Sequence, residues 1–238
     1  MPRLVLLLGT GTSVGKTYVA ERVLHALASQ GRRALGYKPV ESGVVPGEDT
    51  DIARLERAST FHVKPPLRSQ TFAAPVSAHV ASRLEGRGID LAEIRSEIAR
   101  GLAAGPDLLL LELPGGAFSP FTDDLAAAQF ARSLPGVRVV LVALNRLGVL
   151  HDVGATTRAC AALGLPLQGI VLNEAEIPDA SVETNLQELA RVTAVPVLAN
   201  VARGIANAPV KPDDPAIKLA SVLFQDRPEL RQPGASPE

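Results

Sequence analysis

Gly9-Thr10-Gly11-Thr12-Ser13-Val14-Gly15-Lys16-Thr17 lies between an apolar run, Leu4 to Leu8, and a segment from Tyr18 to Ala28 with the apolar spacing of a helix. A glycine-rich turn from a strand into a helix aims several backbone N–H groups at one point. That point sits on the positive end of the helix dipole, so it attracts phosphate. Lys16 adds a mobile charge for the outer phosphates, and Thr17 offers a hydroxyl to Mg²⁺. The usual pattern has its first glycine where Thr10 stands, whereas Gly9 comes one residue earlier. The loop is therefore a longer variant of the phosphate loop.

Working outward, apolar runs alternate with helical periodicity almost throughout. Strands are expected at Leu4–Leu8, Ala34–Tyr37, Leu108–Glu112, Arg138–Ala143, Gly169–Leu172 and Val195–Leu198. Helices are expected at Lys16–Gln30, Asp51–Ala58, Ala78–Leu84, Asp90–Ala104, Asp123–Leu134, Val153–Leu163 and Val182–Thr193, with a short last one from Pro215 to Phe224. Gly31, Gly105, Gly136 and Gly164 follow helical segments, where a left-handed cap favours glycine. The strands are continuous Val, Leu and Ile rather than alternating, as when both sheet faces are covered. The expected fold is α/β, a doubly wound, mostly parallel sheet flanked by helices, of the P-loop NTPase type. One domain is expected over residues 1–226, followed by a flexible Pro-, Gly-, Ala- and Ser-containing tail at 227–238.

The bulk composition narrows the partners. With 24 Lys and Arg against 25 Asp and Glu, no basic stripe points to nucleic acid. No segment approaches membrane-spanning length, and the N-terminal apolar run is too short for a secretory signal. Cys160 is the single cysteine, so no internal disulfide forms. In a helical stretch it reads as a buried thiol rather than a nucleophile. A cytoplasmic location fits these features.

In such a sheet, function collects at the carboxyl ends of strands. After the second strand comes Lys38-Pro39-Val40-Glu41-Ser42-Gly43. Lys38 there is either a cation for a transferring phosphoryl group or an ordinary surface lysine. Ser42 either meets substrate or bonds its own turn. Glu112 ends the third apolar run, where an acid in a phosphate-loop protein serves Mg²⁺ or simply caps the next turn. Of Asp49 and Asp51, one is expected to cap the following helix, and Asp51 is a candidate second carboxylate for the metal. Asn173 offers an amide suited to an adenine edge or to a turn. The histidines show no metal-ligand spacing, and only His151 follows a strand end.

Taken together, these ordered motifs resemble the dethiobiotin synthetase family. The long phosphate loop, Gly36-Tyr37-Lys38-Pro39-Val40-Glu41-Ser42-Gly43 and Phe72-Ala73-Ala74-Pro75-Val76-Ser77-Ala78-His79 come first. Glu112 to Gly116, Pro120, Asp123-Asp124-Leu125, Arg146-Leu147-Gly148 and Val171-Leu172-Asn173 follow, so the likeness spans about residues 4 to 205. The resemblance implies an ATP- and Mg²⁺-dependent ring closure of 7,8-diaminopelargonic acid with CO₂ or bicarbonate, through a carbamate and its mixed anhydride with phosphate. It implies Lys38 and Lys16 as catalytic cations. ATP would be held by Ser13, Val14, Gly15, Lys16, Thr17, Tyr18, Asp51, Glu112, Leu113, Pro114, Gly115, Asn173, Val201 and Ala202. Substrate would meet Thr12, Ser42, Leu150 and His151. Mg²⁺ would be served by Thr17, Asp51 and Glu112. A homodimer with a shared site is implied, with no nucleic-acid or membrane partner.

The chain departs from the family pattern at several points. Gly11 replaces an aspartate, and Ser13 stands where an acid is frequent. Leu113-Pro114 replaces a small pair, and Gly148-Val149-Leu150-His151-Asp152 differs from Gly-x-Ile-Asn-His. The nucleotide site carries over better than the substrate pocket. The alternatives are a phosphate-loop switch or partitioning ATPase and another amide-forming ligase. The former often carries an extra lysine within the loop, and none stands between Gly9 and Gly15.

Overall fold

The computed structural model describes residues 2–204 and 209–224; the expected tail at 227–238 lies outside them. In chain order the elements are β1 (Arg3–Gly9), α1 (Lys16–Ser29), β2 (Ala34–Tyr37), β3 (Val40–Ser42), α2 (Asp51–Ala58), β4 (Gln70–Phe72), α3 (Ala78–Leu84) and α4 (Leu91–Ala103). They continue with β5 (Leu108–Glu112), α5 (Ala127–Arg132), β6 (Arg138–Asn145), α6 (Val149–Ala162), β7 (Leu167–Glu174), α7 (Val182–Val192), β8 (Val197–Val201) and α8 (Pro215–Leu223).

The main sheet has six strands in the order β2-β5-β1-β6-β7-β8, and every pairing is parallel. The chain leaves β1 toward β2 and β5 on one side, then crosses to β6, β7 and β8 on the other. The strand order thus reverses beside β1, and the loop after β1 opens at that switch point, where ligands of such sheets bind. Alternate side chains of β1 enter different cores. Val5 and Leu7 pack beneath α1, α2 and α8, whereas Leu4, Leu6 and Leu8 pack with residues of α3, α4, α5 and α6. Both faces are covered, which is why Leu108–Leu111 is apolar at every position and fully buried.

The boundaries differ from the sequence expectation where local chemistry outweighs hydrophobicity. The last strand is shifted from Val195–Leu198 to Val197–Val201, because Pro196 has no N–H to give and serves through its carbonyl, which accepts from Ile170 N. The helix expected at Asp123–Leu134 shrinks to Ala127–Arg132. Phe121 and Thr122 N–H both donate to Leu125 O, folding Asp123–Leu125 into a turn. The helix expected from Val153 starts at Val149 because Gly148, at φ 96°, turns the chain directly into it. A second, two-stranded sheet, β3 with β4, was not expected. Gly31, Gly105, Gly136 and Gly164 all have positive φ, as the caps require. Cys160 is fully buried, and burial pushes its thiol up to about 11. Among the described residues, no helix is long and apolar enough to cross a membrane.

Candidate active site

The loop after β1 takes the shape its glycines allow. Ser13 and Gly15 have φ of 57° and 85°, and this curl turns successive N–H groups toward one centre. Gly15 is the left-handed cap of α1. A Cβ there would lie 2.0 Å from Asn173 Nδ2. Asn173, near the end of β7, donates from Nδ2 to Val14 O at 3.1 Å. It therefore pins the phosphate loop from beneath, and its buried Oδ1 has no hydrogen-bond partner. A Cβ on Gly116 would come within 3.1 Å of Gly11 Cα, so the loop after β5 packs directly on the phosphate loop.

Charged groups meet above this turn. Thr17 Oγ1 donates to Glu112 Oε1 at 3.0 Å. Lys38 Nζ donates to the same oxygen at 2.9 Å and to Asp51 Oδ2 at 2.5 Å. Lys16 Nζ donates to Gly115 O at 2.7 Å. Lys16, Thr17, Lys38 and Glu112 are all buried, so Lys38 is no ordinary surface lysine. Burial works to lower the Lys38 pKa, but the carboxylates of Glu112 and Asp51 outweigh it and hold the ammonium above the usual lysine value. Burial also works to raise the Asp51 pKa, and Lys38 overrides it downward. Lys16 goes the other way: burial lowers its pKa against the opposing pull of Glu112.

Asp51 is placed by its helix. The capping residue of α2 is Thr50, whose hydroxyl accepts from Ala53 N, not Asp49 or Asp51 as the sequence suggested. Asp49 instead forms a two-point pair with Arg57 at 2.7 Å per contact. The Glu41 carboxylate accepts from Asp51 N at 2.9 Å and Ile52 N at 3.0 Å. Glu41 thus occupies the helix N-terminus and leaves the Asp51 side chain pointing toward Lys38.

These groups line a cavity of about 530 Å³, together with Thr12, Ser13, Gly15, Tyr18, Ser42, Pro114, Gly115 and Asn173. Ser42 Oγ donates to Val76 O at 2.6 Å, so it bonds a neighbouring loop while facing the cavity. Val14, Leu113 and Val201 turn their side chains into the core. Ala202 lies outside the cavity lining and accepts from Tyr18 Oη at 2.9 Å through its carbonyl. Leu150 and His151 also lie outside the lining, in the first turn of α6, with His151 exposed. Sequence reasoning missed Glu41, Arg54, Arg203 and Gly204, which share the cavity. Arg54 carried one available signal, its place one helical turn after Asp51. A second cavity, of about 490 Å³, between α2 and the His62–Leu67 segment shares only Lys38 with the first.

The donor set suits Mg²⁺. Glu112 Oε2 is buried without a partner, beside a hydroxyl and a second carboxylate, all hard oxygen donors. Among the described residues, no three His, Cys, Asp or Glu side chains form a metal cage. Mg²⁺ commonly binds through one or two carboxylates plus substrate phosphates, and Glu112 and Asp51 offer two carboxylates here.

Comparison with known proteins adds to this geometry. A family model described as an AAA domain matches residues 3–205. A protein of Anaeromyxobacter sp. (strain K), named ATP-dependent dethiobiotin synthetase BioD, is 42% identical over 78% of this chain and 83% of its own length. A namesake from Aromatoleum aromaticum is 38% identical over 93% of this chain and 97% of its own. Among solved structures, the Aquifex aeolicus MinC:MinD cell division complex aligns with a TM-score of 0.60 at 13% identity, over 98% of this chain and 100% of that one. MinD from Pyrococcus horikoshii, complexed with Mg-ADP, aligns with a TM-score of 0.54 at 19% identity, over 94% of each chain. At such identities the structural likeness speaks for the fold alone.

Proposed function

The chain belongs to the ATP-dependent dethiobiotin synthetase family, and on that premise we propose that it closes the ureido ring of dethiobiotin in biotin synthesis. The substrate would be 7,8-diaminopelargonic acid, with CO₂ and ATP. One amine adds to CO₂ and releases a proton, giving a carbamate. A carbamate oxygen attacks the γ-phosphorus, ADP leaves, and a carbamic–phosphoric anhydride remains. The second amine attacks the carbonyl carbon, inorganic phosphate leaves, and the amine's proton goes to solvent.

The chemistry asks the protein for positioned charge rather than a covalent nucleophile. The observation that carries this assignment is Lys38, buried and held cationic where the β2 end meets the phosphate loop. Its ammonium would hold the carbamate and the γ-phosphoryl oxygens together. Lys16 would exchange the Gly115 carbonyl for a phosphate oxygen, and the backbone N–H groups from Ser13 to Tyr18 would hold the rest of the chain of phosphates. Thr12 and Ser42 would face the diamine. Asn173 has its amide nitrogen committed to Val14 O, so Oδ1 is left to accept from the adenine amino group. Thr17, Asp51 and Glu112 would hold Mg²⁺, which when bound neutralises charge developing on the phosphates.

Leu150 and His151 would act on the pocket of a partner subunit in a homodimer. The test is phosphate release from Mg-ATP, assayed with diamine, bicarbonate, both or neither. Release that requires both supports the ligase. Equal release in all four mixtures would overturn it in favour of a simple ATPase.

A further inference from the structure

We propose that Arg54 is a positioning residue for Asp51, anchored by the buried carboxylate of Glu21. This rests on the metal-serving role given to Asp51 above. Arg54 lies one turn after Asp51 on α2, and Glu21 lies one turn after Thr17 on α1. The guanidinium fork closes on Glu21 through Nε to Oε1 at 3.0 Å and Nη2 to Oε2 at 2.6 Å. Its remaining nitrogen, Nη1, reaches Asp51 Oδ1 at 3.3 Å. The other oxygen of Asp51 is the one on Lys38.

Opposite charges therefore alternate without a break: Glu21, Arg54, Asp51, Lys38, Glu112. The two ends of this chain differ from its middle. The Glu21 side chain is 2% exposed and the Glu112 side chain 1%, while Asp51 is 31% exposed. Asp51 is thus the one carboxylate in the series that solvent could rotate away. A buried carboxylate such as Glu21 needs its cation, and a two-point contact fixes both position and orientation of the guanidinium. Once fixed, Arg54 presents Nη1 to only one rotamer of Asp51. The other Asp51 oxygen then stays aimed at the space between Lys38 and Glu112. A ligand that competes with Lys38 for that oxygen finds the carboxylate already oriented. Lysine lacks the fork and cannot hold both acids at once.

The probe is Mn²⁺, titrated by electron paramagnetic resonance into full-length protein saturated with a non-hydrolysable ATP analogue. Arg54→Lys is expected to weaken Mn²⁺ binding roughly 10- to 100-fold, the usual effect of losing a partner that orients a ligand. Affinity for the metal-free nucleotide should stay at the wild-type value. In an Asp51→Asn background the same substitution should add nothing, because its effect travels through that carboxylate. Glu21→Gln combined with Arg54→Gln removes the buried pair without stranding a charge, and should weaken Mn²⁺ as Arg54→Lys does. A lower melting temperature with unchanged Mn²⁺ affinity would make the pair a mere brace between α1 and α2 and overturn the proposal. So would a full effect in the Asp51→Asn background. If Asp51→Asn weakens Mn²⁺ but no Arg54 variant does, only the role of Arg54 falls. If Asp51→Asn itself leaves Mn²⁺ affinity unchanged, the metal reading falls and takes the proposal with it.

Discussion

The β1–β2–β5 end of the sheet, which holds the cavity, and the turn between β6 and α6 beyond it are built differently, and the first is the more constrained. There Lys16, Thr17, Lys38 and Glu112 are buried and each is bonded to a group from a distant part of the chain. At the turn between β6 and α6, Leu147 is 75% exposed, His151 is exposed, and Asp152 pairs with Arg146 of the same turn, while Val149 and Leu150 pack on the core. The first end is complete within one chain. The second is a surface, and it gains a purpose in the proposed reaction only against a second subunit. Nucleotide chemistry demands fixed charge, and burial supplies it. In the proposed reaction the exposed turn would complement the pocket of a second subunit.

The sharpest way to break this contrast is Lys16→Ala. The ammonium donates to a loop carbonyl, that of Gly115, rather than to the packed core, so the fold should survive its loss. Turnover should fall roughly 10²- to 10³-fold, as when one preorganised charge is removed from a transition state. Single-turnover phosphate release checks it. Near-normal turnover would mean that the buried end does not carry the phosphate chemistry. Next in size is Glu112→Gln, which keeps shape and removes the charge that a hard cation needs. The Mg²⁺ concentration for half-maximal activity should rise by roughly tenfold or more, since even outer partners of a metal are worth 10- to 100-fold. Superimposable Mg²⁺ titrations would take Glu112 out of the metal site.

Gly15→Ala probes the same end through the backbone. Left-handed geometry costs an L-residue about 1–2 kcal/mol, and the new methyl would meet Asn173 Nδ2. Binding of a non-hydrolysable ATP analogue, followed by calorimetry, should weaken roughly tenfold, the equivalent of that strain. Unchanged affinity would mean that the left-handed turn at Gly15 does not shape the phosphate site.

The same contrast explains what was legible in the sequence. The main strands announce themselves because a strand buried on both faces must be apolar at every position, as Leu108–Leu111 is. The phosphate loop, Lys38 and Glu112 were legible because each stands directly at a strand end, where local order fixes where the residue falls. The small sheet was not. Val40–Ser42 and Gln70–Phe72 are three residues each, too short for an alternating pattern to show. Nor was the Glu21–Arg54 pair, since neither helix's own periodicity says that its polar side chain meets another helix. Val14, Leu113 and Val201 show the converse: a residue beside a ligand loop can send its side chain to the core and leave only its backbone for ligand.

The smallest expected effect belongs to the exposed end, and it tests whether that end has the proposed role. His151 opens α6 beyond the cavity lining, in a turn where the family pattern has asparagine. Both side chains can donate one hydrogen bond to a carboxylate. His151→Asn should therefore change the KM for the diamine by only about two- to fivefold, within the range of one altered hydrogen bond. The KM for ATP should not move, because none of the described residues lining the cavity comes from this turn. Leu147→Asp is the companion variant. An acid in place of that exposed apolar side chain should weaken association of the subunits, read by sedimentation, and raise the diamine KM in step with dissociation. If Leu147→Asp yields a monomer that binds diamine as the wild type does, the pocket is complete within one chain and its contrast with the exposed turn disappears.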